Sequence, residues 1–142
     1  MLDHSWINKL EPLILQHWEE NGARGLAHKP DIERFKEFEN QGRFLFLGAF
    51  DGDKPVGYVA VIFHSILHNA DNVFAACDAI FVKPEYRNGL LPGRLIKMAE
   101  SVAKEAGADI FTYGCKPGDD FIDVLLRRGY QPAEVIMSRG LQ

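Results

Sequence analysis

The spacing of apolar residues predicts that the chain begins with two helices. Over residues 5–21, apolar side chains recur every three or four positions, which is the period of one helix face. Pro12 falls inside this pattern and is expected to kink the helix or to displace its start, because proline lacks the backbone donor that a helix interior uses. A second, shorter helix is expected over residues 30–41, with Phe35 and Phe38 facing inward.

From residue 43 onward the period shortens to two, which predicts strands. Segments 43–50 and 56–64 flank a turn that contains Asp, Gly and Pro, and together they predict a β-hairpin. A loop over residues 65–71 then leads to a third strand, 73–82, which is so apolar that burial on both faces is expected. The remaining predicted elements are a helix over 95–106 closed by Gly107, a strand over 109–115, a helix over 119–128 and a last strand over 130–139.

This order of elements predicts an α+β fold, a mixed sheet covered by helices. The length of 142 residues suits a single domain, 1–142, and no repeat, linker or low-complexity stretch divides it. The chain is therefore expected to fold as one cooperative unit.

Composition narrows the classes of partner and compartment. With 16 basic and 20 acidic residues, a net charge of −4, the chain has no overall basic field, so nucleic acid is not an expected partner. No apolar run approaches the roughly 18 residues of a membrane-spanning helix, so no membrane partner is expected. Two cysteines and a polar N-terminal segment argue against secretion with a disulfide framework, which predicts a reducing, cytoplasmic location.

The junction PEYRNGLLPGR combines a glycine-containing turn with the expected start of a helix. Such a turn leaves backbone N–H groups free to bind phosphate. Gly89 and Gly93 would let the backbone approach an anion closely, and Pro92 suits a first helical turn. Between residues 83 and 97, four basic residues stand against one acid, which suggests a polyanionic small ligand. The alternative is a glycine-rich connection with no ligand.

Asp78 is the one charge within the apolar third strand. A carboxylate there must be paired or must lie at an opening, because burying an unpaired charge is costly. Apolar surroundings would raise its pKa and allow it to act as a general base near neutral pH, directly or through water. The alternative is a structural aspartate that makes local hydrogen bonds or marks a β-bulge.

Four other residues could carry chemistry. His64 and His68 occur around the loop after the second strand and could line the mouth of a substrate site, but their spacing suits a metal ion only on a helix. Cys115 could be a nucleophile, although an isolated cysteine at a strand end is more often a small buried apolar residue. Tyr113 could donate a proton from the end of its strand, or it could be a core or interface residue.

Two parts of the sequence resemble one known family. The stretch FVKPEYRNG, followed by GRLIKMAE, resembles motif A of the GNAT N-acetyltransferase superfamily, in which a strand ending in V-x-P-x-Y-R runs into a pyrophosphate loop and a long helix. The later FIDVLLRRGYQPAEVIMSRGL resembles the closing helix, Gly-aromatic turn and last strand of that family. The segments HSILHNADNVFAACDAIFVKPEYRNG and YGCKPGDDF are similar, more narrowly, to GNAT-type proteins encoded by bacteriophages. The resemblance extends over nearly the whole chain.

The resemblance implies a mostly antiparallel sheet with helices on both faces and a splay between the parallel strands 73–82 and 109–115. It implies acetyl-CoA as cosubstrate, with its pantetheine arm on backbone groups of Phe81 and Val82 and with no metal. The diphosphate would lie on the loop that follows. The residues implied for that loop are Arg87, Asn88, Gly89, Leu90, Leu91, Pro92, Gly93 and Arg94.

The resemblance also implies catalytic roles. Asp78 lies on the strand where several members carry a glutamate, and it is assigned the role of general base for the acceptor amine. Many members carry a tyrosine in the closing helix that protonates the CoA thiolate, but counting back from Gly129 gives Leu125 in this chain. The thiolate would therefore take its proton from Tyr113 or from water, or leave charged. In the loop, Leu90 and Pro92 replace the usual small residues, which predicts a rearranged loop.

The sequence thus predicts an acetyl-CoA-dependent N-acetyltransferase that acts on a small amine or a protein amino group by direct attack in a ternary complex. A catalytically silent module of the same fold that binds a host protein is a different class, and a cysteine hydrolase built on Cys115 is a third. Segments 27–40 and 65–71 are candidates for lining the acceptor side. A homodimer through exposed strand edges or the N-terminal helices is a further expectation.

Overall fold

The structure, a computed structural model, describes residues 6–21 and 29–141. The predicted helix start at residue 5 and part of the candidate segment 27–40 lie outside the described residues. The elements in chain order are α1 (Trp6–Asn21), α2 (Ile32–Asn40), β1 (Phe44–Asp51), β2 (Lys54–Ile66), β3 (Asn69–Val82), a short 3-10 turn (Pro84–Tyr86), α3 (Leu91–Glu105), β4 (Ile110–Tyr113) and α4 (Phe121–Arg127).

The four strands form one sheet in the order β1-β2-β3-β4. β1 pairs with β2 and β2 with β3 in antiparallel fashion, whereas β3 and β4 are parallel. A parallel neighbour needs a crossover connection, and α3 supplies it. The predicted α+β class, a mixed and mostly antiparallel sheet, is confirmed.

Helices cover both faces of this sheet, as predicted. Val59 and Val61 of β2 are buried against Leu95 of α3, in a cluster that α3 shares with β3. Tyr58, the neighbour of Val59 in the chain, is buried on the other face against Leu10 of α1. Successive side chains of a strand point to opposite faces, so β2 contributes to two separate cores.

The helix ends follow local rules that the sequence contains. Asp31 caps α2, and its carboxylate accepts a hydrogen bond of 3.1 Å from the N–H of Arg34. α1 runs through Pro12 as one element. α3 begins at Leu91, before its apolar pattern, and is followed by Gly107 with a positive φ of 92°. Within the described ranges, no helix is long and apolar enough to cross a membrane.

The predicted loop over residues 65–71 is wrong. β2 continues to Ile66 and β3 starts at Asn69, these two residues pair, and Leu67 and His68 form the turn between them. The hairpin end projects beyond both cores, so its side chains are exposed and carry no alternation of apolar and polar residues. Periodicity could therefore not reveal that the ladder continues.

The predicted last strand over residues 130–139 is also wrong in this structure. Those residues form neither strand nor helix, and residues 131–141 are all exposed. Their pattern favours a strand, but a strand exists only where a second backbone pairs with it. The prediction of burial on both faces of β3 holds only in part, since Ala75, Phe81 and Val82 are buried whereas Asp78 is exposed.

Candidate active site

A gap opens between the two parallel strands. β3 and β4 pair only through Phe74–Cys77 and Ile110–Tyr113. β3 then continues for five residues, 78–82, and in the part of the chain that the structure describes, residues 79–82 pair with β2 and none of the five pairs with β4. One edge of β3 is therefore left open beyond the end of β4.

A β-bulge lies where this gap begins. Ala60 of β2 faces Ala79, and the next residue, Val61, faces Cys77, so Asp78 is an extra residue without a direct partner on β2. The extra residue reverses the alternation of β3 from that point onward. The bulge that was one of the alternative interpretations of Asp78 is thus present.

The bulge decides which backbone groups face the gap. The N–H of Lys83 donates to the carbonyl of Val56 on β2 at 2.9 Å. Because backbone groups alternate in direction along a strand, those of Val82 and Ile80 point into the gap, and those of Phe81 point toward β2. Phe81 itself is buried on the α1 face. The resemblance implies that backbone groups of Phe81 and Val82 bind the pantetheine arm. Of these two residues, Val82 is the one whose backbone groups point into the gap.

Arg87 links the end of β3 to α1. Its Nε donates to the carbonyl of Val82 at 2.7 Å, and its guanidinium pairs with the carboxylate of Glu20 at 2.8 Å. This hydrogen bond lowers the pKa of the Glu20 carboxyl. The guanidinium also lies 5.4 Å from the ring centre of Phe81. Arg87 therefore positions the loop from its side, and the pairing with Glu20 was not foreseen from the sequence.

The loop that precedes α3 presents backbone donors. In the described part of the chain, no backbone acceptor is recorded for the N–H groups of Asn88, Gly89, Leu90, Leu91 and Gly93. Pro92 lies in the first turn of α3, where the missing donor costs nothing. The side chain of Leu90 is 76% exposed and does not pack into the fold. These N–H groups lie at the N-terminus of α3, where the helix dipole is positive, and they are accessible to an anion.

A second arginine lies across this helix start. Arg128, which follows α4, donates from its guanidinium to the carbonyl of Gly93 at 3.2 Å. A Cβ at Gly93 would come within 3.1 Å of that guanidinium, so glycine there leaves room for it. Arg94 is exposed in the same turn. Arg128 was not predicted as a site residue, because it lies 35 positions from Gly93 and no local pattern signals the contact.

Asp78 borders a small cavity on the α2 face of the sheet. The cavity has a volume of about 210 Å³. Its lining residues are Asp31, Arg34, Phe35, Phe38, Phe44, Ile62 and Asp78. Asp78 is exposed at this mouth, yet desolvation by the surrounding apolar groups raises the pKa of its carboxyl. The cavity therefore combines apolar walls with a carboxylate that is more basic than usual.

The other residues predicted to line the acceptor site lie in two separate places. Phe35 and Phe38 of α2 line the cavity beside Asp78, so part of the candidate segment 27–40 lies there. His64 instead stacks on Phe74 with ring centres 5.7 Å apart, and His68 is exposed in the hairpin turn. Neither histidine lines the cavity, and a larger cavity of about 470 Å³ beside the β1–β2 turn holds none of the predicted site residues.

Tyr113 ends β4 at the start of the gap, but its hydroxyl is buried. Its ring contacts those of Phe121 and Tyr130, with ring centres 5.7 and 5.3 Å away. Burial is the main cause that raises the pKa of this phenol. Leu125 of α4 is buried too, 6% exposed, at the position where the resemblance places a tyrosine.

In the described part of the chain, the cysteines and histidines form no reactive cluster. Burial is the main cause that raises the pKa of the Cys115 thiol, with a contribution from Asp119, and burial raises the pKa of Cys77 to about 12. Both thiols are thus kept protonated, which argues against the cysteine hydrolase. No group of three or more His, Cys, Asp or Glu within the described ranges could hold a metal ion.

Comparison with known proteins identifies the family. The family model described as "Acetyltransferase (GNAT) family" matches residues 10–130. The chain therefore belongs to the GNAT acetyltransferase family, a family of enzymes that use acetyl-CoA. The predicted superfamily and enzyme class are confirmed. No curated protein matches the sequence.

Solved structures show the same fold at low identity. An aminoglycoside acetyltransferase, meta-AAC0020, from an uncultured soil metagenomic sample is 18% identical with a TM-score of 0.74, over 95% of this chain and 91% of that one. Aminoglycoside N-acetyltransferase AAC(6')-Iy, solved with CoA, is 11% identical with a TM-score of 0.73, over 99% and 96%. Ribosomal-protein-alanine N-acetyltransferase from Brucella melitensis biovar Abortus 2308 is 16% identical with a TM-score of 0.69, over 99% and 96%.

Proposed function

We propose that this protein is an acetyl-CoA-dependent N-acetyltransferase that transfers the acetyl group to an amine by direct attack in a ternary complex. The observation that carries the proposal is the position of Asp78. This residue forms the bulge at which the gap between β3 and β4 begins, and it also lines the cavity under α2. A cosubstrate in the gap and an acceptor in the cavity would therefore meet at one carboxylate.

Backbone groups would hold most of the acetyl-CoA. The N–H groups of residues 88–91 and 93, which have no backbone acceptor among the described residues, suit the diphosphate, because the start of a helix favours negative charge. The guanidinium of Arg128 adds a positive charge at the same place. The backbone of Val82 suits the pantetheine arm, although its carbonyl already accepts a hydrogen bond from Arg87.

The cavity suits a slender primary amine. Its volume of about 210 Å³ lies below the roughly 300 Å³ at which pockets for drug-sized ligands begin. Phe35 and Phe38 would contact an apolar stem, and the carboxylates of Asp31 and Asp78 would attract a protonated amine. We therefore propose that an amine-bearing arm enters the cavity, whether it belongs to a small molecule or to a protein. His64 and His68 stay outside this proposed acceptor site.

Asp78 would act as the general base. Its carboxylate would accept a proton from the acceptor amine, directly or through one water, while the amine nitrogen attacks the thioester carbonyl. A raised pKa suits this task, because a base works best when its pKa approaches the working pH. Holding both reactants in adjoining sites makes the encounter an oriented one. Backbone N–H groups that face the gap, those of Ile80 and Val82, would polarise the carbonyl oxygen.

The departing thiolate would take its proton from water. Leu125 has no proton to give, and the raised pKa of buried Tyr113 makes that phenol a poor donor. A thiol has an ordinary pKa of about 8.5, so it can also leave in its charged form. In this proposal Tyr113 is a packing residue at the end of β4, and the role of general acid falls to solvent.

Binding of coenzyme A tests the proposal first. A ligand that binds only the folded state adds about 2.7 kcal/mol at a hundred times its dissociation constant. We expect coenzyme A and acetyl-CoA to raise the melting temperature in differential scanning calorimetry, and we expect adenosine at the same concentration to have little effect. A melting curve that millimolar coenzyme A leaves unchanged would rule out the proposed cosubstrate.

Turnover separates the enzyme from a catalytically silent module of the same fold. The buried Leu125, in place of the family's tyrosine, is the observation that favours the silent module. Release of free thiol from acetyl-CoA in the presence of slender primary amines is expected from the enzyme. Binding of coenzyme A without release of thiol from acetyl-CoA, whether amines or host lysate are added, would favour the module.

Four other expectations stay predictions. They are the single domain 1–142, the cytoplasmic location, the absence of a nucleic-acid partner and the bacteriophage resemblance.

Arg128 provides a matched test of the diphosphate site. We expect Arg128→Ala to raise the KM for acetyl-CoA by up to about fivefold, because an exposed charge contact is worth up to about 1 kcal/mol. Its neighbour Arg127 is also exposed but makes no recorded contact with α3, so Arg127→Ala is the control. Steady-state kinetics at saturating amine measures both. An equal effect of the two variants would show that Arg128 has no particular role.

A further inference from the structure

Two arginine side chains lie against one aromatic ring beside the cavity under α2. The guanidinium carbon of Arg34 lies 5.3 Å from the ring centre of Phe38, and that of Arg43 lies 4.4 Å from it. Both distances are within the range of a cation–π contact. Arg34 and Phe38 line the cavity that Asp78 borders. These two arginines, here called the arginine pair, therefore place two positive charges at the side of the cavity.

The arginine pair has no acidic partner among the described residues. Neither guanidinium lies within salt-bridge distance of a described carboxylate. Two acids of the same segment are engaged elsewhere. The Asp31 carboxylate accepts a hydrogen bond from the backbone N–H of Arg34 rather than from its guanidinium, and Glu33 pairs with Lys36 at 3.1 Å. Both arginines are also exposed, so the pair is accessible to an anion from solution.

Contacts of α2 and β1 fix the points from which these side chains extend. The N–H of Arg43 donates to the carbonyl of Phe38 at 2.8 Å, and the carbonyl of Arg43 accepts from the N–H of Phe63 at 2.9 Å. The ring of Phe35 on α2 contacts that of Phe44 on β1, with ring centres 5.1 Å apart. The arginine pair and the apolar walls of the cavity are therefore held on the same fixed elements.

We propose that the arginine pair binds a carboxylate of the acceptor, and that the acceptor is therefore an ω-amino carboxylate. Such a molecule carries a primary amine and a carboxylate at opposite ends of a slender apolar stem. The inference rests on the proposed function, because it places the amine at Asp78. The stem would lie along the rings of Phe35 and Phe38, which line the cavity. A guanidinium suits the carboxylate, because its planar fork can donate two parallel hydrogen bonds.

The charges around the cavity favour a carboxylate over a phosphate or a second amine. The lining includes the carboxylates of Asp31 and Asp78, and the arginine pair supplies two positive charges beside them. An acceptor with one ammonium and one carboxylate adds one charge of each sign and keeps this set balanced. A phosphate group carries a charge of about −1.5 to −2 at neutral pH and would add an excess of negative charge. A diamine would bring its second ammonium against the guanidiniums.

Thiol release with matched acceptors tests the inference. The probes are straight-chain ω-amino carboxylates of increasing length, each compared with its own terminal carboxamide, which keeps the size and removes the charge. At the best chain length we expect kcat/KM for the carboxylate to exceed that for the carboxamide by about tenfold, because two exposed ion pairs each contribute a factor of a few. Added salt should shrink this ratio, since exposed charges are screened. Equal rates for every carboxylate and its carboxamide would overturn the inference.

Reversing the charge of the arginine pair gives a readout that a merely structural role would not produce. The double variant Arg34→Glu, Arg43→Glu should lose the preference for the carboxylate and should favour a straight-chain diamine of the same length. The control is Lys54→Glu, the same type of charge reversal at an exposed residue outside the cavity. This control should keep the wild-type preference. A double variant that still prefers the carboxylate contradicts the assignment of the two arginines.

Binding without turnover separates a failure of this inference from a failure of the proposed function. If amines release thiol but the carboxylate brings no advantage, the inference fails and the proposed function stands. If no amine releases thiol, the proposed function fails, and isothermal titration calorimetry on the protein alone still tests the arginine pair. The ω-amino carboxylate should then bind about tenfold more tightly than its carboxamide, for the same electrostatic reason. Equal affinities would show that the pair does not bind the carboxylate.

Discussion

Replacing Asp78 by asparagine is expected to lower kcat/KM for acetyl transfer by at least about 100-fold, the usual contribution of a positioned general base. Asparagine keeps the size of the side chain and removes the group that would accept the proton. The matched control is Asp71→Asn, which is on the same strand and exposed like Asp78 but lies outside the cavity. That variant should retain wild-type rates. Loss of thiol release with unchanged coenzyme A binding would show that Asp78 acts on chemistry rather than on the cosubstrate.

The pH dependence of the same variant gives a second readout. The carboxyl must be ionised to accept a proton, so wild-type kcat/KM should fall as the pH falls through the raised pKa of Asp78. This limb of the profile should vanish in Asp78→Asn. A raised folded-state pKa also means that ionisation of Asp78 opposes folding, so the stability it contributes is present at low pH and is lost as the pH rises through that pKa. At neutral pH the variant should therefore melt no lower than the wild type, and a clear destabilisation would point to a structural role.

Truncating Leu95 is expected to have the largest effect on stability. Leu95 is 5% exposed and packs in the cluster that joins α3 to Val59 and Val82. Leu95→Ala should lower the free energy of unfolding by about 2–5 kcal/mol, because the loss of apolar contact and the cavity left behind both count. Urea denaturation followed by circular dichroism measures the change.

A second leucine at the start of α3 provides the control. Leu90 is 76% exposed, so Leu90→Ala should change the free energy of unfolding by no more than about 0.5 kcal/mol. If the two variants cost the same, α3 is not held against the sheet by the described cluster. The comparison also shows whether the bulky residue in the loop serves stability at all.

The sequence predicted those parts of the fold whose signals are local. The apolar periods of α1 and α2 and the single charge Asp78 in an apolar strand each depend on a few neighbouring positions. The order of elements then sufficed for the sheet class, since a helix between two strands allows them to be parallel. The resemblance to motif A marked the loop before α3.

The features that the sequence did not reveal depend on contacts between distant positions. Arg87 pairs with Glu20 across 67 residues, and Arg128 reaches Gly93 across 35. No period or spacing links such positions before the chain is folded. The last strand was mispredicted for a related reason. The pattern of residues 130–139 is compatible with a strand, but it does not reveal whether another strand lies beside the segment to pair with it.

The bulge at Asp78 lies between the elements proposed to bind the acyl donor and those proposed to bind the acceptor amine. The donors suited to the cosubstrate come from β3, the following loop and α3, whereas the walls of the cavity come mainly from α2 and the adjoining strands. Among the described residues, the two sets meet at this one inserted residue. Under the proposed function, substitutions in α2 are therefore expected to alter which amine is accepted while the groups that hold the acyl donor stay intact, so α2 is the element in which to redirect specificity.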